Sequence, residues 1–303
     1  MILVFGSVNL DLIVPVPALP APGETVLGGA LRTEPGGKGA NQAVAAARDG
    51  AQVLFAGAVG DDAFAGPATA TLRDAGVDLS RLATVAGATG AAVICVDPAG
   101  RNQIAVAPGA NRAAQASQVA DADLGPATTL VLQMEVDAGE TAALIARARA
   151  RFARIVLSLA PPLPLPARAL ADIDVLLVNE GEGMALAARL GVAATPEALR
   201  QALAGPDVIV TRGEAGAVAA AGAGLVHQPA FAVTAADTTA AGDTFAGVLA
   251  AALDRGQDLA AAMRRAAAAA ALACTRAGSQ GSIPDAAGTE ALLARGVCAF
   301  TAS

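Results

Sequence analysis

The chain has 303 residues, a formal net charge of −7, and 54 % hydrophobic but only 2 % aromatic residues. This length suits one large α/β domain or two small ones, with enough Ala, Val, Leu and Ile for a sizeable core. The negative charge argues against nucleic acid and anionic membranes as main partners. Because His227 is the single histidine, a Ser-His-Asp triad or a histidine-based metal site is disfavoured.

In the first third of the chain, β-like pieces follow one another with few helices between them. Apolar or alternating runs predict strands, and an alanine-rich run after Gly39 predicts a helix. Because the early β-like pieces do not alternate with helices, they predict a small separate sheet. The predicted strands are 2–5, 12–16, 25–32, 53–56, 91–96 and 103–107, and a second helix is predicted at about 63–75.

Further along, short apolar runs alternate with helical stretches or turns. This alternation predicts a mostly parallel sheet with helices on both faces. Such sheets bind ligands outside the carboxyl ends of their strands. A hairpin is predicted to turn at 221–224, and a buried helix is predicted over 244–253. The predicted sheet strands are 130–133, 155–159, 175–178 and 208–211.

Compartment signals are few. Residues 1–5 are apolar but lack the basic flank and cleavage site of a signal peptide. The three cysteines, Cys95, Cys274 and Cys298, are scattered and form no metal-binding cluster. They are therefore interpreted as reduced thiols, and a cytoplasmic protein is expected.

The segment 237–245, Asp-Thr-Thr-Ala-Ala-Gly-Asp-Thr-Phe, combines a phosphate cradle with a carboxylate. Ala240, Ala241 and Gly242 leave their backbone N–H groups open to an anion at a helix N-terminus. Asp243 would repel a phosphate, so it suits a base that takes a proton from a hydroxyl attacking phosphorus. The alternative is that Asp243 only caps the helix.

A second glycine-rich segment, residues 36–43, reads Gly-Gly-Lys-Gly-Ala-Asn-Gln-Ala. Lys38 is the only lysine of the chain, whereas the other 19 basic residues are arginine. This usage points to a need for a compact ammonium group at one place. The alternative is a glycine-rich turn with an incidental lysine.

Together these segments resemble the ribokinase family of carbohydrate kinases, which includes phosphofructokinase B. The resemblance covers nearly the whole chain, and the Ala-Ala-Gly-Asp cradle, Gly-Ala-Asn-Gln-Ala and the triplet 109–111 are most similar to members that phosphorylate ribose. The motifs that carry it are 6–11, 22–25, 36–43, 59–62, 109–111, 179–182, 211–216, 237–245 and 275–282.

The resemblance implies the fold and the reaction. The fold is a single ribokinase-like domain over residues 1–303, a three-layer α/β/α sandwich with a mostly parallel central sheet. A small β-sheet lid, with strands from about 11–35 and 90–108, would cover the sugar and exclude water. The reaction is in-line transfer of the γ-phosphoryl of ATP to a primary hydroxyl, with D-ribose favoured and Asp243 as the base.

The resemblance also implies binding residues. For the sugar these are Asn9, Asp11, Gly36, Gly37, Lys38, Asn41, Glu135 and Asp243. For the nucleotide they are Asn179, Thr211, Arg212, Gly213, Gly216 and Gly242. From the residues alone, Asp11 could be a turn residue, Glu135 a helix start, and 211–216 a plain turn.

Two cations are implied. Glu182, in the segment 179–182, would act on Mg²⁺ through water, although a charged helix start explains the segment equally well. A monovalent cation, K⁺, would be held by oxygen atoms near the cradle. Its expected ligands are Asp237, Thr239, Ala273, Arg276, Gly278 and Ser282.

Other functions fit less well. No GxxxxGK[ST] occurs, and no GxGxxG follows the first strand, which disfavours Walker-type NTPases and dinucleotide-linked oxidoreductases. Within the family, a nucleoside kinase or a 2-keto-3-deoxygluconate-type kinase remains open, as does a non-catalytic sugar-binding homologue. Ser158, Leu159 and Ala267 depart from the family pattern, which leaves the sugar surroundings and the adenine pocket open. A homodimer through the lid is expected.

Overall fold

The structure is a computed structural model that describes residues 1–296. Its 13 strands and ten α-helices follow in chain order. The strands are β1 (Ile2–Phe5), β2 (Asn9–Pro15), β3 (Arg32–Gly36), β4 (Val53–Gly60), β5 (Asp78–Val85), β6 (Gly90–Val96), β7 (Asn102–Ala107), β8 (Thr129–Leu132), β9 (Arg154–Ser158), β10 (Val175–Asn179), β11 (Asp207–Thr211), β12 (Ala217–Ala221) and β13 (Gly224–Gln228). The helices are α1 (Lys38–Arg48), α2 (Ala65–Ala68), α3 (Ala70–Asp74), α4 (Ala138–Ala150), α5 (Ala167–Ala171), α6 (Glu180–Leu190), α7 (Pro196–Leu203), α8 (Ala241–Asp254), α9 (Leu259–Ala273) and α10 (Ala286–Arg295).

The central sheet has nine strands in the order β13-β12-β11-β10-β9-β8-β1-β4-β5. All neighbours from β11 to β5 are parallel, whereas β12 and β13 form an antiparallel hairpin at one edge. The carboxyl ends of seven parallel strands therefore meet along one rim, as the α/β pattern predicts.

Helices cover both faces of this sheet, and β1 shows why. Ile2 and Val4 pack into a core with α1, α3, α8, α9 and α10. Leu3 and Phe5 point the other way, into a core with α4 to α7. Because side chains alternate across a strand, a continuous apolar run such as β1 is buried on both sides. The result is the predicted three-layer α/β/α fold.

A second, four-stranded sheet has the order β3-β2-β6-β7. The β2–β6 pair is parallel, and the other two pairs are antiparallel. Strand β2 begins only four residues after β1 ends, so this sheet is tied directly to the rim of the central sheet. We call the small sheet of β2, β3, β6 and β7 the lid sheet.

Two predicted elements differ from the structure, and one strand was not predicted. The strand predicted at 25–32 is absent there, and β3 begins only at Arg32. The helix predicted at 63–75 is divided into α2 and α3 at Thr69, whose backbone (φ −103°, ψ 1°) leaves the helical region. Strand β5 was not predicted, because its mixed burial hides the alternation that marks strands.

Within the described residues, no helix combines the length and the apolar character required to cross a lipid bilayer.

Candidate active site

Asp243 lies in the first turn of α8, at the rim where the parallel strands end. Asp243 is only 8 % exposed. Asn41 Nδ2 donates to Asp243 Oδ2 at 2.9 Å, and Gln42 Nε2 donates to Oδ1 at 3.0 Å. The carboxylate is thus held by two side chains of α1, and within the described chain it caps no backbone N–H of α8.

Close packing of α1 against α8 brings these groups together. Gly247 follows Asp243 by one helical turn, and a β-carbon at Gly247 would lie 2.3 Å from the backbone oxygen of Gln42. Only a residue without a side chain allows this approach. The glycine therefore sets the distance between Asp243 and the amides that hold it.

The backbone cradle differs from the prediction at one of its three N–H groups, because that of Ala241 is occupied and that of Asp243 takes its place. The Ala241 N–H donates to Thr238 O at 3.2 Å. Among residues 1–296, the N–H groups of Ala240, Gly242 and Asp243 have no hydrogen-bond acceptor. These are donors of the kind that helix N-termini leave free for an anion.

Behind the carboxylate, a buried chain of amides continues from Gln42. Gln133 Nε2 donates to Gln42 Oε1 at 2.8 Å, and Gln133 is fully buried. Gly6 makes room for it, since a β-carbon at Gly6 would lie 1.9 Å from Gln133 Oε1. Neither glutamine was predicted as a site residue: Gln42 lies in the segment 36–43, but no local pattern signals its contacts with Asp243 and Gln133.

The predicted sugar residues Asn9 and Asp11 lie on β2, next to Gly36 at the end of β3 and Gly37 just after it. Asn111 Nδ2 donates to Asn9 Oδ1 at 2.7 Å, and Val8 N donates to Asn111 Oδ1 at 2.9 Å. A β-carbon at Gly36 would lie 2.3 Å from Asp11 Oδ2. Gly37 has φ +90° and precedes α1. The two glycines are therefore required by close approach and by backbone conformation.

Asp11 is a buried carboxyl group that lacks protein donors. Its side chain accepts no hydrogen bond from residues 1–296, and the residue is 8 % exposed. Burial raises its pKa to about 7, with the negative charges of Glu135, Glu34 and Asp243 adding to the effect. Asp11 thus belongs to a cluster of four acidic groups.

Lys38 lies within this acidic cluster. Its backbone N–H donates to Glu135 Oε2 at 3.0 Å, and Ser7 Oγ donates to the same oxygen at 2.6 Å. The charge of Asp243 raises the pKa of the Lys38 ammonium, burial opposes this, and Glu135 and Glu182 raise it further. The only lysine of the chain therefore balances the carboxylates around it.

Asn179 and Glu182 form the start of α6. Glu182 N donates to Asn179 Oδ1, and Asn179 N donates to Glu182 Oε2, both at 2.8 Å. This reciprocal pair is a capping box, so the helix-start alternative is realised. The pKa of Glu182 is raised, mainly by burial and to a smaller extent by the charge of Asp243. The hydrogen bond from Asn179 N and the charge of Lys38 oppose this shift. Glu182 is therefore within electrostatic reach of the acidic cluster.

The loop 211–216 begins at the last residue of β11. That residue, Thr211, is paired with Asn179 at the end of the neighbouring strand β10. Gly213 has φ +52° and Gly216 has φ +87°, and Arg212 N donates to Gly216 O at 2.7 Å. The turn alternative thus accounts for both glycines. Within the described chain, no hydrogen bond joins this loop to Asp243; the two share only the rim of the sheet.

The expected cation residues lie in the loop before α8, at the last residue of α9 and in the loop that follows α9. Asp237 accepts hydrogen bonds from Thr239 N at 2.9 Å and Gly278 N at 3.0 Å. Burial raises the pKa of Asp237, but these bonds, the Thr239 hydroxyl and the charge of Arg32 outweigh it and lower the pKa. Ala273 O accepts from Arg276 N at 3.3 Å, and Ser282 Oγ donates to Ser279 O at 2.8 Å.

The sequence profile of the pfkB family carbohydrate kinases matches residues 1–286. The chain is 36 % identical over 294 residues to the ribokinase of Bacillus subtilis, covering 96 % of this chain and 99 % of the relative. It is 34 % identical over 292 residues to the deoxyribokinase of Salmonella typhi, covering 93 % and 95 %.

The fold is also similar to solved structures. Against the structure of Arabidopsis thaliana ribokinase complexed with ribose and ATP, the TM-score is 0.84 at 30 % identity. That comparison covers 96 % of this chain and 98 % of the other. Both the profile match and these identities extend over nearly the entire chain. The chain therefore belongs to the pfkB family of carbohydrate kinases.

Proposed function

We propose that this protein is an ATP-dependent sugar kinase that converts D-ribose to D-ribose 5-phosphate. The observation that carries the proposal is the placement of Asp243: a carboxylate fixed by two amides, beside free N–H groups at the start of α8. The similarity to ribokinases over nearly the whole chain supports ribose as the acceptor.

In the proposed mechanism, Asp243 takes the proton of the primary hydroxyl. The hydroxyl oxygen then forms a bond to the γ-phosphorus of ATP, and the bond from that phosphorus to the β,γ-bridging oxygen breaks to release ADP. The N–H groups of Ala240, Gly242 and Asp243 would stabilise the charge on the transferred group. Lys38, amid the carboxylates, would offset negative charge along the same path.

The lid-sheet residues suit recognition of a polyol. Asn9 Nδ2 has no acceptor among residues 1–296, and the Asp11 oxygens have no donor there, so both can bond to hydroxyls. Glu135, held by Ser7, would complete the set. Gly36 and Gly37 would let the backbone approach the sugar closely, and the lid sheet would exclude competing water.

For ATP, the proposed contacts lie at the ends of β10 and β11. Asn179, Thr211, Arg212, Gly213 and Gly216 would line the nucleotide path, with Gly242 at the phosphates. When bound, Mg²⁺ would neutralise phosphate charge, and Glu182 would hold it through water. Glu182 suits this indirect role because its carboxylate is within electrostatic reach of Lys38 and Asp243.

A monovalent cation, K⁺, is proposed for the loops around Asp237. The lowered pKa of Asp237 keeps its side chain charged. The other proposed ligands are oxygen atoms of Thr239, Ala273, Arg276, Gly278 and Ser282. Oxygen donors of this kind suit a hard cation. We place the enzyme in the cytoplasm, where ATP is available and free thiols such as Cys95 and Cys274 stay reduced. Cys298 lies outside the described residues.

A homodimer through the lid sheet is also proposed. β7 is an edge strand that is exposed along its length, with Ile104 (54 %) and Val106 (52 %) on one face. Exposed apolar edge strands favour pairing with a second chain. Sedimentation at micromolar concentration should show a dimer, and Ile104→Lys should shift it towards monomer. A wild-type monomer would contradict the proposal.

The proposed function is tested by ADP release from ATP with a panel of sugars and nucleosides. We expect turnover to be fastest with D-ribose, to require Mg²⁺ and to rise with K⁺. The panel includes 2-deoxyribose, 2-keto-3-deoxygluconate and nucleosides, and preference for one of these would reassign the acceptor. Nucleotide binding without turnover on any acceptor would overturn the kinase proposal in favour of a sugar-binding homologue.

A further inference from the structure

Lid strand β3 touches the loop 278–280 at two places. Ser279 N donates to Glu34 Oε2 at 3.2 Å, and Gln280 Nε2 donates to Gly36 O at 3.4 Å. Glu34 belongs to none of the motifs that marked the candidate site. Its side chain nevertheless reaches the body of the protein at this loop.

The contact at Glu34 is close. Gly278 has φ +98°, and a β-carbon there would lie 2.8 Å from Glu34 Oε2. On its other side, Gly278 N donates to Asp237 Oδ2 at 3.0 Å. Two carboxylates, one from the lid sheet and one from the body, therefore hold consecutive N–H groups of the same turn.

From this turn, hydrogen bonds lead to the proposed base. Ser279 Oγ donates to Asn41 Oδ1 at 3.2 Å, and Asn41 Nδ2 donates to Asp243 Oδ2 at 2.9 Å. The hydroxyl of Ser279 fixes which end of the Asn41 amide faces Asp243. If Ser279 moved away, the amide could rotate and turn its oxygen towards the carboxylate, which would be repulsive.

We propose that Glu34 is a positioning residue that docks the lid sheet onto the loop 278–280 and, through Ser279 and Asn41, orients Asp243 for proton transfer. This inference rests on the proposed kinase function. Docking of the lid sheet and alignment of the base are then a single event, so the base is best aligned when the lid sheet covers the sugar.

The charge of Glu34 has a cost as well as a benefit. Glu34 is directly opposite Asp11 in the β2–β3 ladder, and its charge contributes to the raised pKa of Asp11. A neutral acceptor would avoid this repulsion. A carboxylate, however, accepts from a backbone N–H more strongly than a neutral oxygen does. Glu34→Gln therefore separates the hydrogen bond from the charge.

The test compares Glu34→Ala, Glu34→Gln, Ser279→Ala and the double variant Glu34→Ala/Ser279→Ala. Gln201→Ala, at an exposed position of α7, is the matched control. With saturating D-ribose and ATP, Glu34→Ala should lower kcat about tenfold, as expected for loss of a hydrogen bond to a charged group. Glu34→Gln should retain most of the wild-type kcat. In both variants the KM for ATP should stay within about twofold of wild type.

The double variant decides whether Glu34 acts through Ser279. We expect its kcat to match that of the lower single variant, because both changes break one chain of contacts. Multiplied losses, or an unchanged kcat in Glu34→Ala, would overturn the inference while wild-type turnover left the proposed function intact. Absence of turnover in the wild type would instead refute the proposed function and, with it, this inference.

Discussion

Two buried carboxyl groups face the same site but are held in opposite ways. Asp243, on the body, accepts hydrogen bonds from Asn41 and Gln42. Asp11, on the lid sheet, accepts none from residues 1–296 and is surrounded by other acidic groups. In the proposed function, the body is therefore organised before the sugar binds, whereas the hydrogen bonds of Asp11 would be completed by sugar hydroxyls. The first group is suited to chemistry and the second to recognition.

The largest expected effect separates these roles by kinetics. Asp243→Asn should lower kcat by about 10² to 10⁴-fold, because the amide cannot take the hydroxyl proton. Asp11→Asn should act mainly on the KM for the sugar, raising it about tenfold or more. Steady-state rates over sugar concentration measure both. Asp74→Asn, which changes an exposed carboxylate at the end of α3, is the control. Equal losses of kcat in Asp243→Asn and Asp11→Asn would contradict separate roles in catalysis and recognition.

The second prediction concerns the stability cost of Asp11. Because its pKa rises from 3.8 to about 7 on folding, the folded state binds the proton more tightly than the unfolded state. Stability is therefore lost as pH rises from about 4 to 7, by up to about 4 kcal/mol at about 1.4 kcal/mol per pKa unit. Asp11→Asn should remove this loss without sugar present.

Thermal unfolding of the sugar-free protein measures this pH-dependent loss of stability. We expect Asp11→Asn to raise Tm by about 4 to 8 °C at pH 8, with a gain that shrinks as the pH falls towards 4. A gain that does not depend on pH would show that the acidic cluster does not strain Asp11. Asp74→Asn again serves as control, since Asp74 is exposed and outside the cluster.

A third prediction tests the packing of α1 against α8, which holds Asp243 in place. Gly247→Ala would force a β-carbon against Gln42 O and push α1 from α8, at a cost of about 1 to 3 kcal/mol. It should also lower kcat, because Gln42 moves with α1. Gly66→Ala is the matched control, since a β-carbon at Gly66 meets no atom within 4 Å. Chemical denaturation measures both; equal stability of the two variants would contradict the packing account.

The smallest expected effect concerns Glu182, which has a helix-capping role in the structure and a proposed Mg²⁺ role. Glu182→Gln should keep the capping box and Tm, since glutamine fits this position. It should still raise the Mg²⁺ concentration needed for half-maximal turnover, by about threefold for a charge acting through water. Glu182→Ala should also lower Tm by about 1 to 3 °C.

Glu197→Gln, in the first turn of α7, is the control for these measurements. An unchanged Mg²⁺ requirement in Glu182→Gln would leave Glu182 with its structural role alone.

Much of the fold followed from the sequence, since alternation of strands and helices predicted the parallel sheet and its two helical layers. The misplaced strand at 25–32 and the missed β5 show the limit of that pattern. Both lie at the margins of the two sheets, where burial is partial and hydrophobic alternation is weak. The hairpin of β12 and β13 was predicted correctly because its glycine turn is a local signal.

The sequence by itself determined the family, through motifs spread along the chain. It also predicted the helix N-terminus next to Asp243 and the glycine segment before α1, because helix ends and tight turns depend on neighbouring residues. Only the tertiary structure decided what holds Asp243. Asn41 is 202 residues from it in the chain, and the Glu34–Ser279 contact spans 245 residues. A hydrogen bond between such distant residues leaves no periodicity in the sequence, so its partners become visible only when packing of α1, α8 and the lid sheet brings them together.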